Sequence, residues 1–252
     1  MTNSMTVLVT GASGNLGSAV LPRLTKDGYD VRPMSRGKRP GWVAADLETG
    51  DGLAEAVQGV DAIVHLASSP VRTRNTDLEG TRRLLVAAEA AGVQQIVFVS
   101  IIGVDRVPFS YYKIKVETEG VVRAGGVPFT ILRAAQFPEL ADTLLTTLSK
   151  VGPVLIDRNM LVQPVAVEDV ADRIADLLIE GPTGGIVEFG GPQTERLEVL
   201  ARDWLRARGS KRPVWSVRVP GRAGRELWAG ALTTQARPAG TRTWRDYLEA
   251  KY

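Results

Sequence analysis

The chain has 252 residues, 44% hydrophobic and 23% charged, enough for one large or two unequal globular domains. It has no cysteine and one histidine, which excludes disulfides and a cysteine nucleophile and argues against a bound metal. Its net charge of +3 is uneven: residues 195–252 hold 13 Lys/Arg against 6 Asp/Glu, scattered rather than interleaved with aromatics, so a solvated basic surface is expected and no nucleic-acid partner.

The apolar run Val7–Thr10 is expected to be a strand. It ends in Gly11, Gly14 and Gly17, spaced three apart, and Asn15–Asp27 follows as a helix with Leu16, Ala19, Val20 and Leu24 near one face. Pro22 is uncomfortable inside that helix, and Gly28 ends it. Strands are expected at Tyr29–Met34 and Trp42–Ala45, a short helix at Asp51–Gln58, and a buried strand at Ala62–Leu66. Next come a long helix Asn75–Ala91, a strand Gln95–Ser100, a helix Tyr111–Ala124 and a strand Phe129–Leu132. This alternation predicts an α/β fold: a Rossmann-like doubly wound parallel sheet over residues 1–135.

The pattern changes after residue 135. Pro138–Leu148, Glu168–Glu180 and Thr194–Arg208 read as helices, the last capped by Thr194. Val154–Ile156, Met160–Val167, Ile186–Phe189 and Val214–Val219 read as strands, with two short helices to finish. Residues 136–252 are expected to be a small mixed region, partly completing the sheet and partly capping the substrate cleft.

A strand, a glycine turn and a helix in that order form a dinucleotide-binding pattern. Gly11 permits the tight turn, Gly14 lets the backbone approach a pyrophosphate, and Gly17 lets the helix pack on the strand. Ser13, Asn15 and Leu16 lie in the same loop and are expected to contact the cofactor through it. The second strand ends Ser35-Arg36-Gly37-Lys38-Arg39 with no carboxylate for a ribose 2′-OH. Arg36, aided by Ser35 and Ser13, is expected to hold a 2′-phosphate, so NADP (NADPH) is the expected cofactor. Asp46-Leu47 and Leu66-Ala67-Ser68 are expected on the adenosine side. His65 lies in an apolar strand and reads as structural.

Thr10–Gly17, Asp46-Leu47, His65–Ala67 and Tyr111–Lys115 resemble the short-chain dehydrogenase/reductase superfamily, in its extended and atypical branches. Phe98–Gly103, Ile131–Phe137 and Gln163–Ala171 are similar to its NmrA-like, NAD(P)H-binding members. The resemblance implies a catalytic Tyr-x-x-x-Lys pair, Tyr111 and Lys115, with Lys115 holding the nicotinamide ribose and lowering the Tyr111 pKa. Tyr112 can reach the same side. It also implies that Ala134–Phe137 border the nicotinamide, with Ala134 and Phe137 as contacts, and that Pro164–Asp169 lies near the site unless Asp169 simply caps the next helix.

The sequence departs from the superfamily where a Ser-Ser or Ser-Thr pair is usual. Here it reads Ser100-Ile101, and isoleucine cannot donate a hydrogen bond. Ser100 remains as the third catalytic candidate. The expected function is an NADPH-dependent reductase of a small lipophilic carbonyl, enone or quinone-like acceptor, roofed by residues 136–165 and 213–235 with Trp215 and Trp228. The alternative is a non-catalytic NADP(H) sensor. A small-molecule substrate, a monomer or homodimer, and a cytoplasmic location are expected. No stretch approaches the ~20 apolar residues of a membrane helix, and Met1 to Met5 lacks the start of a signal peptide.

Overall fold

The computed structural model describes residues 5–69, 74–150 and 152–252. The first half alternates as β1 (Thr6–Thr10), α1 (Asn15–Lys26), β2 (Asp30–Ser35), β3 (Val43–Ala44), α2 (Leu53–Val57) and β4 (Ala62–His65). A π-helical turn, Arg74–Glu79, leads into α3 (Gly80–Ala90), followed by β5 (Gln95–Ile101), α4 (Ser110–Ala124) and β6 (Phe129–Ala134). Then come α5 (Pro138–Leu148), β7 (Val154–Ile156), β8 (Leu161–Val162), α6 (Val167–Glu180) and β9 (Ile186–Phe189). The chain closes with β10 (Glu195–Arg196), α7 (Leu197–Ala207), β11 (Val214–Ser216), α8 (Gly221–Trp228) and α9 (Trp244–Lys251).

Seven strands form one sheet in the order β3-β2-β1-β4-β5-β6-β9. Val7, Leu8 and Val9 of β1 are fully buried and pair in parallel with β2 on one side and β4 on the other. Parallel neighbours need crossovers, and the intervening helices supply them. The order runs outward from β1 to β3 and then resumes on the other side at β4. The reversal therefore falls between β1 and β4, and a ligand crevice opens beyond the carboxyl ends of strands at such a point. Two small sheets, β10 with β8 and β11 with β7, lie outside this one.

The chain divides into two compact units whose segments interleave, rather than meeting at one boundary near residue 135. The first comprises residues 1–100, 110–133 and 170–187; the second comprises 101–109, 134–169 and 188–252. In the first, Leu8, Ile63, Ile96, Phe98 and Ile131 of the strands pack on Ala56, Leu84 and Val122 of the helices. In the second, Leu145, Ile156, Leu200, Trp204, Trp244 and Leu248 form the core.

Clear departures from the sequence expectation are in α7, in β8 and in β11, where the strand expected over Val214–Val219 ends at Ser216. Pairing of Glu195 and Arg196 with β8 holds them extended, so α7 begins at Leu197 and Thr194 does not cap it. The strand expected over Met160–Val167 is only Leu161–Val162. Beyond it Gln163 turns its amide onto the backbone of Gly191 and Thr234, and Pro164 has no N–H for a ladder. Pro22 is accommodated inside α1 on its exposed face, where the carbonyl it leaves unserved can be solvated.

Candidate dinucleotide and proton-donor site

The turn after β1 is built around backbone that tolerates no side chain. Gly11 has φ +66°, and a Cβ there would fall 2.6 Å from the Ala67 amide nitrogen at the end of β4. At Gly17 a Cβ would fall 2.4 Å from the Gly11 carbonyl oxygen. Gly14 donates its N–H to Gly11 and then serves as the extended N-cap of α1. No side chain caps that helix and its first turn holds no acidic residue. Its N-terminal amides and dipole are thus presented to an anion.

Around this turn lies a cleft of about 490 Å³. It is lined by Gly11, Ser13 and Gly14, by Ser35, Arg36 and Arg39, by Asp46 and Leu47, and by Leu66, Ala67 and Ser68. The structure thus gathers most residues predicted for the cofactor. Asn15 and Leu16 are exceptions: Asn15 is exposed, Leu16 packs into the core, and neither lines the cleft. Arg36 is exposed at the rim, and the Arg39 guanidinium sits 5.0 Å from the centre of the Trp42 ring. Ser35 Oγ donates to the Gly37 carbonyl, and Asp46 accepts from the Glu48 amide, closing a turn. Glu48, Ser69 and Thr76 also line the cleft; no motif signalled them.

Beneath the turn, polar groups connect β1, β4 and α3. The Thr10 hydroxyl accepts from the Leu66 and Ala67 amides and lies 2.6 Å from His65 Nδ1. His65 Nε2 lies 2.9 Å from Thr81 Oγ1, which donates to the Asp77 carbonyl. With both threonine protons directed this way, His65 accepts at Nδ1 and donates at Nε2, which requires the neutral ring. Burial, aided by the nearby Lys115 charge, holds its pKa down at about 3. His65 is structural.

Tyr111 and Lys115 stand one turn apart on α4. Lys115 is buried; its ammonium donates to the Val99 carbonyl, lies 3.6 Å from Asp77 Oδ1 and sits 4.5 Å from the centre of the Phe98 ring. Burial presses its pKa down, while the Asp77 and Glu119 carboxylates oppose that. The Tyr111 hydroxyl lies 2.8 Å from Ser68 Oγ, and Ser68 donates to Asp77 Oδ1 at 2.6 Å. The expected lowering of the Tyr111 pKa by Lys115 is not found. Burial raises it, and the Asp77 charge acts in the same direction. A hydrogen bond donated by Ser68 would oppose the rise, but Ser68 gives its single proton to Asp77.

Ser100 takes no part in this group. Its hydroxyl donates to buried Glu119 at 2.6 Å, and the same carboxylate receives two bonds from Arg133. The strand-end hydroxyl is committed to fixing α4 on the sheet. Ala134 and Phe137 belong to the second unit, Ala134 buried at the end of β6 and Phe137 as the N-cap of α5. Beside them, both polar atoms of the Gln136 amide are buried without a hydrogen-bond partner. Asp169 lies inside α6 rather than capping it; its carboxylate receives the Thr241 and Arg242 amides and the Arg242 guanidinium. Trp228 donates to Asp157, and Trp215 is 58% exposed. Among the described residues no helix is long and apolar enough to cross a membrane, and no group of three or more potential metal ligands is present.

A family model described as NAD(P)H-binding matches residues 11–180, from the glycine turn to the end of α6. The chain belongs to this family. A photosystem II assembly factor of Cyanophora paradoxa is 30% identical over 149 residues, covering 53% of this chain and 46% of its own length. An L-arabinose 1-dehydrogenase (NAD(P)(+)) of Haloferax volcanii is 36% identical over 102 residues, covering 37% and 40%. The chain thus spans less than half the length of these curated relatives. In three dimensions it resembles an NADPH-dependent quinone oxidoreductase of Escherichia coli solved with NADPH, at TM-score 0.80, 21% identity, and coverage of 97% and 99%. A short-chain dehydrogenase/reductase protein of Agrobacterium tumefaciens with bound NAD matches at TM-score 0.73, 23% identity, 97% and 95%. At these identities the structural likeness establishes the fold.

Proposed function

We propose that this chain is an NADP(H)-dependent reductase that reduces a small, lipophilic carbonyl, enone or quinone-like acceptor. The carrying observation is the Tyr111 hydroxyl, hydrogen-bonded to a residue that lines the dinucleotide cleft. A proton donor beside a cofactor cleft is what hydride transfer to a carbonyl requires from the protein.

The residues present fit a phosphorylated dinucleotide. Gly11, Ser13, Gly14 and the open end of α1 would hold the pyrophosphate. Arg36 and Arg39 at the tip of β2, with no carboxylate in Ser35–Arg39, would hold a 2′-phosphate. Leu66, Ala67 and Asp46 would border the adenosine, and Lys115 the nicotinamide ribose. When bound, the cofactor supplies the hydride. Tyr111 gives its proton to the acceptor oxygen, and the buried Lys115 charge keeps the site electrostatically balanced against Asp77. The activities for which the quinone oxidoreductase and the sugar dehydrogenase are named agree with this reaction class.

The test combines calorimetry with an activity panel. NADPH is expected to bind at least tenfold more tightly than NADH, and some quinone or carbonyl acceptor is expected to drive loss of NADPH absorbance. A preference for NADH refutes the cofactor assignment; tight binding with no turnover across the panel refutes the reductase. That second result favours a non-catalytic NADP(H) sensor. Two observations support this alternative: Ser100 is bound to Glu119, and residue 101 is isoleucine. A relative named as an assembly factor agrees with it.

A further inference from the structure

Tyr111 lacks the hydroxyl partner that a serine after β5 would offer, yet it is not without one. Ser68, beyond the end of β4, lies 2.8 Å from the phenol oxygen and is exposed at the cleft. Behind Ser68 stands Asp77, only 1% exposed, on the π-helical turn that precedes α3. One Asp77 oxygen takes the Ser68 proton at 2.6 Å and faces Lys115; the other takes the Ser69 amide at 2.9 Å. A π-helical turn widens the backbone, a distortion that recurs at functional sites. Here it carries a carboxylate into the interior next to the only buried ammonium among the described residues.

We propose that Ser68 and Asp77 are the positioning residues of the proton donor: Ser68 holds the Tyr111 hydroxyl at the cleft, and Asp77 fixes Ser68 from beneath. The proposal rests on the reductase reading. Proton arithmetic sets the direction. Ser68 donates its one proton to Asp77, so the phenol donates to Ser68. With an acceptor bound, the phenol O–H turns from Ser68 to the acceptor oxygen; when Tyr111 gives its proton there, its own oxygen becomes an anion. The Ser68 hydroxyl then rotates its proton from Asp77 toward that anion, with no covalent bond broken. Asp77 keeps Lys115 and the Ser69 amide, and the phenolate recovers a proton from water in the cleft.

Among the described residues, the charged and titratable groups around Tyr111 are few. Asp77 lies on the π-helical turn, Lys115 and the phenol of Tyr112 on α4, and neutral His65 at the end of β4. Arg74 and Glu117 pair with each other at exposed positions. Burial does most to keep the proton on Tyr111, and the Asp77 charge acts in the same direction.

Two measurements test this. The first is steady-state kinetics of Ser68→Ala and Ser68→Thr with an accepted quinone or carbonyl. The expected result is a kcat loss on the order of 10²-fold in the alanine variant, larger than any loss of NADPH affinity, with substantial recovery in the threonine variant. Weakened NADPH binding at unchanged kcat would make Ser68 a cofactor contact and overturn the proposal. The second is titration of the Tyr111 phenol by NMR of ¹³Cζ-labelled tyrosine, assigned by loss of its resonance in Tyr111→Phe. Asp77→Asn is expected to lower the Tyr111 pKa and to move the alkaline limb of the kcat profile with it. An unmoved phenol titration in a folded Asp77→Asn protein overturns the role of Asp77. Absence of turnover in wild type with every acceptor overturns the reductase reading itself; the phenol titration needs no turnover and judges the hydrogen-bonded chain separately.

Discussion

Two buried aspartates, one in each unit, are built in opposite ways. Asp142 on α5 is closed on all sides: Trp204 Nε1 and the Tyr252 hydroxyl meet one oxygen, and the Tyr247 hydroxyl and the Lys251 ammonium meet the other. Burial works against its ionisation, but Lys251, Trp204, Tyr252 and Tyr247 outweigh it and hold its carboxyl down at about 2. Asp77 has one ammonium at 3.6 Å, one amide, and a serine that leads outward to a tyrosine and a cleft. The first aspartate uses every lone pair to tie α9 to the core of its unit. The second hands part of its hydrogen bonding to groups that can change partners. Completeness of partners, rather than burial, separates a clamp from a site.

Mutation should expose that difference. Asp142→Ala leaves the buried Trp204 indole N–H without its acceptor and releases Lys251, Tyr247 and Tyr252, so about 1–3 kcal/mol of stability should be lost in urea melts. NADPH affinity should be unchanged. A large loss of affinity would mean the two regions are not independent in this sense. Gly11→Ala acts at the other pole. It forces an L side chain into left-handed backbone against Ala67, costing roughly 1–3 kcal/mol and abolishing NADPH binding by calorimetry. Retained binding would remove the glycine turn from the cofactor site.

Arg36→Ala should weaken NADPH by about 10- to 100-fold, the range of one charge-assisted hydrogen bond, and leave NADH nearly unchanged. Equal losses for both cofactors would mean that Arg36 does not read the 2′-phosphate. Tyr252→Phe removes one of four bonds to Asp142 and should cost about 1 kcal/mol, a graded loss expected of a clamp with redundant partners.

Acid separates the two regions by pH. His65 titrates near 6.5 when unfolded and at about 3 when folded. Between those values the unfolded chain binds a proton that the folded chain refuses, so stability present above pH 6.5 falls as pH drops toward 3. Asp142 moves from 3.8 to about 2, so its contribution is present above pH 4 and falls only below that. Urea melts from pH 7 to 4 should therefore report His65 beneath the cleft, and His65→Gln should flatten the slope. An unchanged slope would show that another group governs acid sensitivity.

The glycine turn, the alternation of strands and helices, and the basic tip of β2 were legible because each is local. Gly11, Gly14 and Gly17 lie within seven residues of chain, and their spacing alone specifies a strand turning into a helix. Asn75–Glu79 reads as an ordinary helix start, and nothing in its pattern shows that a π-helical turn buries Asp77. Ser100 looked like a catalytic hydroxyl because its strand position is right; its partner Glu119 lies 19 residues away on the packed face of α4. Thr194 looked like a cap until pairing of β10 with β8 claimed the next two residues.

The sequence by itself determined where backbone turns without a side chain and which charge stands at the tip of β2, because periodicity, glycine freedom and side-chain chemistry act over a few residues. Only the tertiary structure decided which hydroxyl faces Tyr111. Ser68 is 43 residues from it along the chain, and such pairs meet only after strand order and helix packing have set which strand ends are neighbours.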